Sequence, residues 1–345
     1  MAKHLFVYGT LLKGEYGNSL LKNCILTEYI SIPGTLFDTG FGFPAASIEQ
    51  KGTSVIYGEL YRLPRDHIAL LEKLDRYEDT PNGIFKRISI KINGIESFIY
   101  VVKNTNIFDE HREITSGSWL GFSRNIKEDP LSFILNFEKA HKFYYRFLSE
   151  EQTVILPGDN GIIISAPHAT NHIRLNKFKI FERYTAAISA LMHSLTGASS
   201  VYTNTVSISD PNYYDNCELK KRLGVMCKDS SHNFLLDIHG TGEEREFDIY
   251  PGIGKDKEFL LGHTQILDDF YKTAAEYGIS CGSPLKFPAS KQQTVTKYSA
   301  TQLSIPSMQL EINKRCRQPD KHPEKFLDLI GFIREFLLKK KKRNE

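Results

Sequence analysis

The chain has 345 residues, 41% hydrophobic and 25% charged, with a formal net charge of +3. That length exceeds what one hydrophobic core usually serves, so two domains are expected, and so small a charge excludes electrostatic grounds for a nucleic-acid or membrane partner. The five cysteines (Cys24, Cys217, Cys227, Cys281, Cys316) form no CxxC pair, which argues against a thiolate zinc or redox motif and fits reduced thiols in the cytoplasm.

The chain passes from Met1-Ala2-Lys3-His4 straight into a strand-like run, without a signal-peptide pattern. No apolar stretch is long enough to span a bilayer, so a cytoplasmic protein is expected. Leu5-Phe6-Val7-Tyr8, closed by Gly9, reads as a strand entering a turn. Residues 54–63 and 97–102 are rich in β-branched and aromatic side chains and predict further strands. Residues 65–74 set Ile68, Leu71 and Leu74 at helical spacing. Short strands with one or two small helices imply an α+β domain, a small mixed barrel, over residues 1–125. Residues 126–150, with five aromatics between 137 and 148, predict a helical connector.

From residue 151 the pattern is α/β. Residues 161–166 (GIIISA), bounded by Pro167, read as a strand buried on both faces. Residues 180–195 carry apolar side chains at Ile180, Tyr184, Ala187, Ile188, Leu191, Met192 and Leu195, an amphipathic helix pattern. Residues 234–238 predict a second strand, 259–277 a helix, 308–312 a third strand and 323–338 a closing helix. The reading is a three-layer α/β domain over 151–338, phosphorylase- or hydrolase-like, with a mostly parallel sheet. The basic run 339–345 reads as a solvated tail.

Three pieces of the first domain combine. Tyr8-Gly9-Thr10-Leu11 closes the first strand, with Gly14 and Asn18 after it. Leu74-Asp75-Arg76-Tyr77-Glu78 ends the helix, and Arg87 follows in Ile84-Phe85-Lys86-Arg87. Taken singly, each is a common turn or a solvated helix end. In this order, with Gly58-Glu59-Leu60-Tyr61 and Gly117-Ser118-Trp119, they resemble the γ-glutamylcyclotransferase family, which includes avirulence-induced-gene-like proteins. The resemblance implies that a γ-glutamyl amine closes on itself to 5-oxoproline, with Glu78 as general base and then proton donor. It implies that Tyr8, Gly9, Thr10 and Leu11 bind the substrate carboxylate or the developing oxyanion through backbone N–H groups. No metal or cofactor is implied there. Asp79 stands where a glycine often follows the family's glutamate.

In the second domain, polar residues follow the buried strands, where α/β folds place ligands. His168 follows the first, His239 the second, and Glu311 lies on the third with Arg315 beyond. Two histidines and a carboxylate at strand ends could hold Zn²⁺ and leave a position for water. Against this, eleven histidines are present, and a lone histidine after a strand is more often a capped or core residue. Pro167-His168-Ala169, Asp237-Ile238-His239-Gly240 and Leu310-Glu311-Ile312 resemble the N-formylglutamate amidohydrolase family. More distantly they resemble zinc N-acetylmuramoyl-alanine amidases and zinc carboxypeptidases. That resemblance implies Glu182 as third zinc ligand, although the predicted helix sets Glu182 nearly opposite its apolar stripe. His172 and Glu243 are the alternatives. Glu311 would activate the water. Arg174, Arg245 and Arg315 are candidates for a substrate carboxylate, and Asp237 for support of His239.

The sequence thus predicts a bifunctional enzyme acting on small-molecule γ-glutamyl and N-acyl amino acid substrates. Two other readings are one domain serving as a silent binding module, and a poly-γ-glutamate or cell-wall peptide hydrolase.

Overall fold

The computed structural model describes residues 3–39, 43–48, 54–80, 83, 85–104, 113–120, 122–123, 129–141, 152–228 and 232–342. The chain divides into two units, Met1–Asp129 and Pro130–Glu345, each built on its own sheet.

In the first unit the strand His4–Val7 lies at the centre of five. It pairs antiparallel with Val55–Arg62 and parallel with Ile95–Val102, while Ile25–Pro33 and Phe85–Ile92 form the edges. Leu5, Phe6 and Val7 are all buried, and a strand covered on both faces reads as a continuous apolar run. The edge strand Ile25–Pro33 instead leaves Ile25 and Tyr29 exposed. The two edges do not pair with each other, so among the described residues the sheet is open where a small barrel was expected. A separate ribbon pairs Thr35–Asp38 with Pro44–Ser47.

The helix predicted over 65–74 forms at Ile68–Tyr77. Pro64 holds the preceding residue extended, and its carbonyl contacts His67 Nδ1 at 3.0 Å, just before the first turn. Leu71 and Leu74 are buried but Ile68 is exposed, so the stripe facing the sheet is narrow. Glu78 N still bonds Leu74 O, and the chain then leaves the helix through Asp79 at φ +48°.

The second unit carries six strands in the order Ile249–Gly252, Ser307–Asn313, Phe234–Thr241, Ile162–Ala166, Ser199–Thr203, Thr153–Leu156. The four inner strands are parallel and the two edges antiparallel, so the sheet is mixed with a parallel interior. Helices cover both faces. On one, Leu219, Leu223 and Val295 pack against Ile163, Val201 and Leu235. On the other, Phe336 meets Phe234 and Phe270 edge-on. Burial on both faces accounts for the apolar runs Ile162–Ile164 and Phe234–Leu236 of two inner strands. The register pairs His239 with Glu311 and Asp237 with Gln309. With side chains alternating at period two, all four project from the same face of the sheet.

Three expectations are corrected. The helix Pro130–His141 packs within the second unit, Phe137 against Tyr202 and Glu138 against the Tyr184 amide, rather than serving as a connector; residues 126–128 and 142–150 of that stretch lie outside the described residues. The helix expected from Ile180 begins at Thr185, because Tyr184 at φ +70° cannot continue it backwards, and Ile180 is 74% exposed. The basic run is not a tail up to Lys342: it extends the helix Pro323–Lys342, with Lys339 donating to Glu276 and Thr273. Positive side chains suit a helix C-terminus. Residues 343–345 lie outside the described residues. No helix among the described residues is long and apolar enough to cross a membrane.

Candidate active sites

In the first unit, the turn after His4–Val7 is closed by Leu12 N donating to Gly9 O at 2.9 Å. That bond leaves the amides of Thr10 and Leu11, at the tip, unused by the turn itself. A Cβ at Gly9 would lie 2.7 Å from Pro44 Cγ, so only glycine permits this approach. Tyr77 OH donates to Thr10 Oγ1 at 3.0 Å and Gly17 N to Thr10 O at 3.0 Å, which fixes the loop to the end of the helix. Tyr8 OH donates to Tyr100 O at 2.7 Å.

Glu78 stands at the same helix end, partly buried. Burial, helped by the neighbouring Asp75 carboxylate, pushes its pKa up to about 8. Burial and then the Glu78 charge raise the Tyr8 phenol, which sets Glu78 electrostatically against the Tyr8 turn. Asp75 is held by Arg87 Nη2 at 3.0 Å and Tyr100 OH at 2.8 Å. Arg87 pairs with Asp75, and among the described residues Glu78 has no ion pair. Asp79 adopts the left-handed conformation that favours glycine but that aspartate tolerates. Ile84 lies outside the described residues.

A cleft of about 470 Å³ opens near the far end of the turn, lined by Leu12, Tyr29, Tyr57, Glu59, Ser118 and Leu120 among others. Glu78 is not part of that lining. Glu59 is buried and accepts from Lys13 N at 2.9 Å and Tyr61 OH at 3.0 Å, so its carboxylate anchors the chain leaving the turn.

In the second unit the structure brings His168, Glu182 and His239 together, with one ligand atom from each within 4.8 Å of the others. His168 Nδ1 is 2.8 Å from Glu182 Oε1, and His239 Nδ1 is 3.0 Å from Glu182 Oε2. Glu182 lies ahead of the helix, not on it. Its own N–H bonds His168 O at 2.8 Å, and its Oε2 accepts from Gly240 N at 2.8 Å. Burial pulls both imidazoles down, yet Glu182 together with Asp210 at His168 and Asp237 at His239 outweighs it, so both are raised. Against its burial, the two histidines hold Glu182 well below the usual carboxylate range. Two imidazole nitrogens and a carboxylate converging in a buried pocket fit the donor set of Zn²⁺. Glu311 sits beside them on the neighbouring strand, steered by Gln309 Nε2 at 2.9 Å. Burial raises its pKa to about 7, despite the pull of His239.

Asp210, fully buried and not singled out by the sequence, is 2.9 Å from His168 Nε2 and receives Arg174 Nε at 2.5 Å. By holding Nε2 it leaves Nδ1 facing Glu182, the orienting contact that metal-binding histidines usually have. His239 Nε2 lies 2.8 Å from Asn212 Nδ2 and 3.4 Å from Asp237 Oδ2. Asp237 also accepts from Ser165 and Thr296 hydroxyls. His172 stacks on His168 at 4.0 Å and forms a second cluster with His168 and Asp210. Glu243 is elsewhere, exposed and 4.0 Å from His322.

The three candidate arginines each have partners within the protein. Arg315 is bound to Asp248 at 2.9 Å and to the carbonyls of Arg245 and Glu246, so its fork is occupied by the protein. Arg174 is shared with Asp210 and lies over the Tyr213 ring. Arg245 lies over the Phe287 ring.

The family model described as "Gamma-glutamyl cyclotransferase, AIG2-like" matches residues 5–121. The gamma-L-glutamyl-butirosin B gamma-glutamyl cyclotransferase of Niallia circulans is 35% identical over 94 residues, 26% of this chain and 58% of that protein. The present chain therefore spans little more than half of that relative. A Halalkalibacterium halodurans protein, a candidate gamma-glutamylcyclotransferase by name, is 32% identical over 27% of this chain and 85% of its own length. Through its first unit, the chain belongs to the gamma-glutamyl cyclotransferase, AIG2-like family. Among solved structures, protein ytfP of Escherichia coli is 30% identical, covering 34% of this chain and 96% of that one, with a TM-score of 0.27. A bacteriophage poly-gamma-glutamate hydrolase is 16% identical over 56% of this chain and 91% of its own, with a TM-score of 0.39.

Proposed function

We propose that the first unit is a γ-glutamyl cyclotransferase with Glu78 as its proton-transfer group. The observation that carries this reading is the Glu78 carboxyl, raised to about 8 beside the Tyr8–Leu11 turn. The substrate's α-amino nitrogen attacks its own γ-carbonyl carbon, and Glu78 takes the proton that nitrogen releases. The C–N bond to the leaving amine then breaks as Glu78 returns the proton, giving 5-oxoproline and a free amine. Ring closure is intramolecular, so positioning supplies much of the rate. The Thr10 and Leu11 amides are candidates to hold the substrate carboxylate or the oxygen that gains charge. Incubating the full chain with γ-glutamyl amines and measuring 5-oxoproline, beside Glu78→Gln, tests this; equal product from the variant would sink it.

A second reading is favoured by the convergence of His168, Glu182 and His239: the second unit hydrolyses an N-acyl amino acid or peptide-like amide. These three residues would hold Zn²⁺, which when bound would supply a Lewis acid and an acidified water. Glu311 would accept a proton from the water and pass it to the departing amine. Asp210 and Asp237 would orient the two imidazoles. Arg174 is better placed than Arg315 to hold a substrate carboxylate, because Arg315 is tied to Asp248. Zinc per chain after purification without chelator, with His168→Ala and His239→Ala beside it, tests this reading.

A further inference from the structure

We propose that Arg317 is a positioning residue that ties together the three chain segments bearing Glu182, His239 and Glu311, and so sets the convergence of the zinc ligands. The inference rests on the zinc reading of the second unit.

Arg317 is 7% exposed, at the end of the short helix Lys314–Arg317. Its guanidinium makes no ion pair in hydrogen-bond range among the described residues. Its donors go to backbone carbonyls: Nη1 to Arg183 O at 2.7 Å, Nε to Ile312 O at 3.3 Å and Nη2 to Thr241 O at 3.4 Å. Arg183 is next to Glu182, Ile312 next to Glu311, and Thr241 two residues after His239. One rigid, planar fork therefore touches the backbone beside every member of the candidate site except His168. A lysine ammonium is a point donor on a flexible stem and does not offer this geometry.

The local sequence makes room for the fork. A Cβ at Gly240 would overlap Arg317 Cζ, Nε and Nη2, so glycine at this position lets the guanidinium lie against the strand end. The segment bearing Glu182 needs such a hold. It has just left the strand pair His172–Arg174 and Lys177–Lys179 and turns through Tyr184 at φ +70° into the helix Thr185–Thr196. The turn is gripped from both ends: Arg317 takes the Arg183 carbonyl and buried Glu138 takes the Tyr184 amide. Arg317 also places positive charge near Glu182, Glu311 and Glu138, easing the burial of three carboxylates in one region.

The test is zinc affinity of the full chain, measured by competition with a chromophoric chelator, together with the visible spectrum of the Co²⁺-substituted protein. The variants are Arg317→Met, Arg317→Lys and Gly240→Ala; the last crowds the guanidinium and changes no proposed ligand side chain. Arg317→Met and Gly240→Ala should each weaken zinc by roughly 10- to 100-fold and alter the Co²⁺ bands, which report ligand geometry. Arg317→Lys should recover part of the loss. The double variant Gly240→Ala/Arg317→Met should bind no more weakly than Arg317→Met, because no guanidinium remains to be displaced. Unchanged zinc affinity and Co²⁺ spectrum in folded Arg317→Met overturn the proposal and leave the zinc site standing. Absence of zinc binding by the unaltered chain overturns both. Loss of the second unit's circular dichroism in all variants alike assigns Arg317 to general stability and overturns the positioning role.

Discussion

Replacing Glu78 with glutamine should abolish cyclotransfer and also stabilise the first unit, by an amount that grows with pH. The Glu78 pKa is raised from 4.5 to about 8, and each unit corresponds to about 1.4 kcal/mol, so the ceiling is about 5 kcal/mol. Glu78 keeps a partly exposed edge, and solvent screening there brings the expected gain to roughly 2–3 kcal/mol. Below pH 4.5 the carboxyl is protonated in both folded and unfolded chains, so variant and wild type should match. Between 4.5 and 8 the unfolded chain ionises while the folded one keeps its proton, and the wild type falls progressively behind. Above about 8 the difference should be constant. Trp119 is the single tryptophan of the chain and is 1% exposed, so its fluorescence in urea reports the first unit alone. A stability difference independent of pH, or one complete by pH 5, would refute the claim that the fold raises this carboxyl.

The same pKa should set the pH–rate profile, with cyclotransfer rising through about pH 8 as the base form appears. Asp75→Asn removes a neighbouring negative charge and should move that midpoint down; steady-state rates across pH 6–10 check the direction. His168→Ala and His239→Ala should each lose zinc, whereas His193→Ala, which removes a buried histidine bonded to Ala198 O, should keep it; metal analysis decides. Gly58→Ala should destabilise the first unit by about 1–3 kcal/mol, because its Cβ would overlap Val7 O and the Phe6 ring in the central sheet; Trp119 fluorescence in urea measures it.

Much of the site is legible from sequence because strand ends in α/β and α+β folds present the residue that follows. His168 and His239 follow largely apolar runs, and Glu78 ends a helix whose last buried residue is Leu74. Glu182 is readable only through the family likeness, since the apolar spacing from Ile180 extends the helix pattern over a segment that is not helical. Tertiary contacts at Arg183 and Tyr184 override that spacing. Asp210 and Asn212 escape because the strand before their loop, Ser199–Thr203, is too polar to read as buried. Arg317 escapes for the opposite reason: Lys314-Arg315-Cys316-Arg317 reads as a solvated basic cluster, although the fold buries its last member. Among the described residues the outer strands of the first unit do not pair, which short strand lengths alone do not reveal.

The pairing of His239 with Glu311 joins segments far apart in the chain. A slip of one residue between those strands would turn Glu311 to the opposite face while leaving almost every backbone hydrogen bond replaceable. The placement of Glu311 beside His168, Glu182 and His239 is therefore all-or-none with respect to alignment. On the zinc reading, the three ligand residues all precede the strand Ser307–Asn313, so capture of the ion and the alignment that seats Glu311 are separable events in refolding.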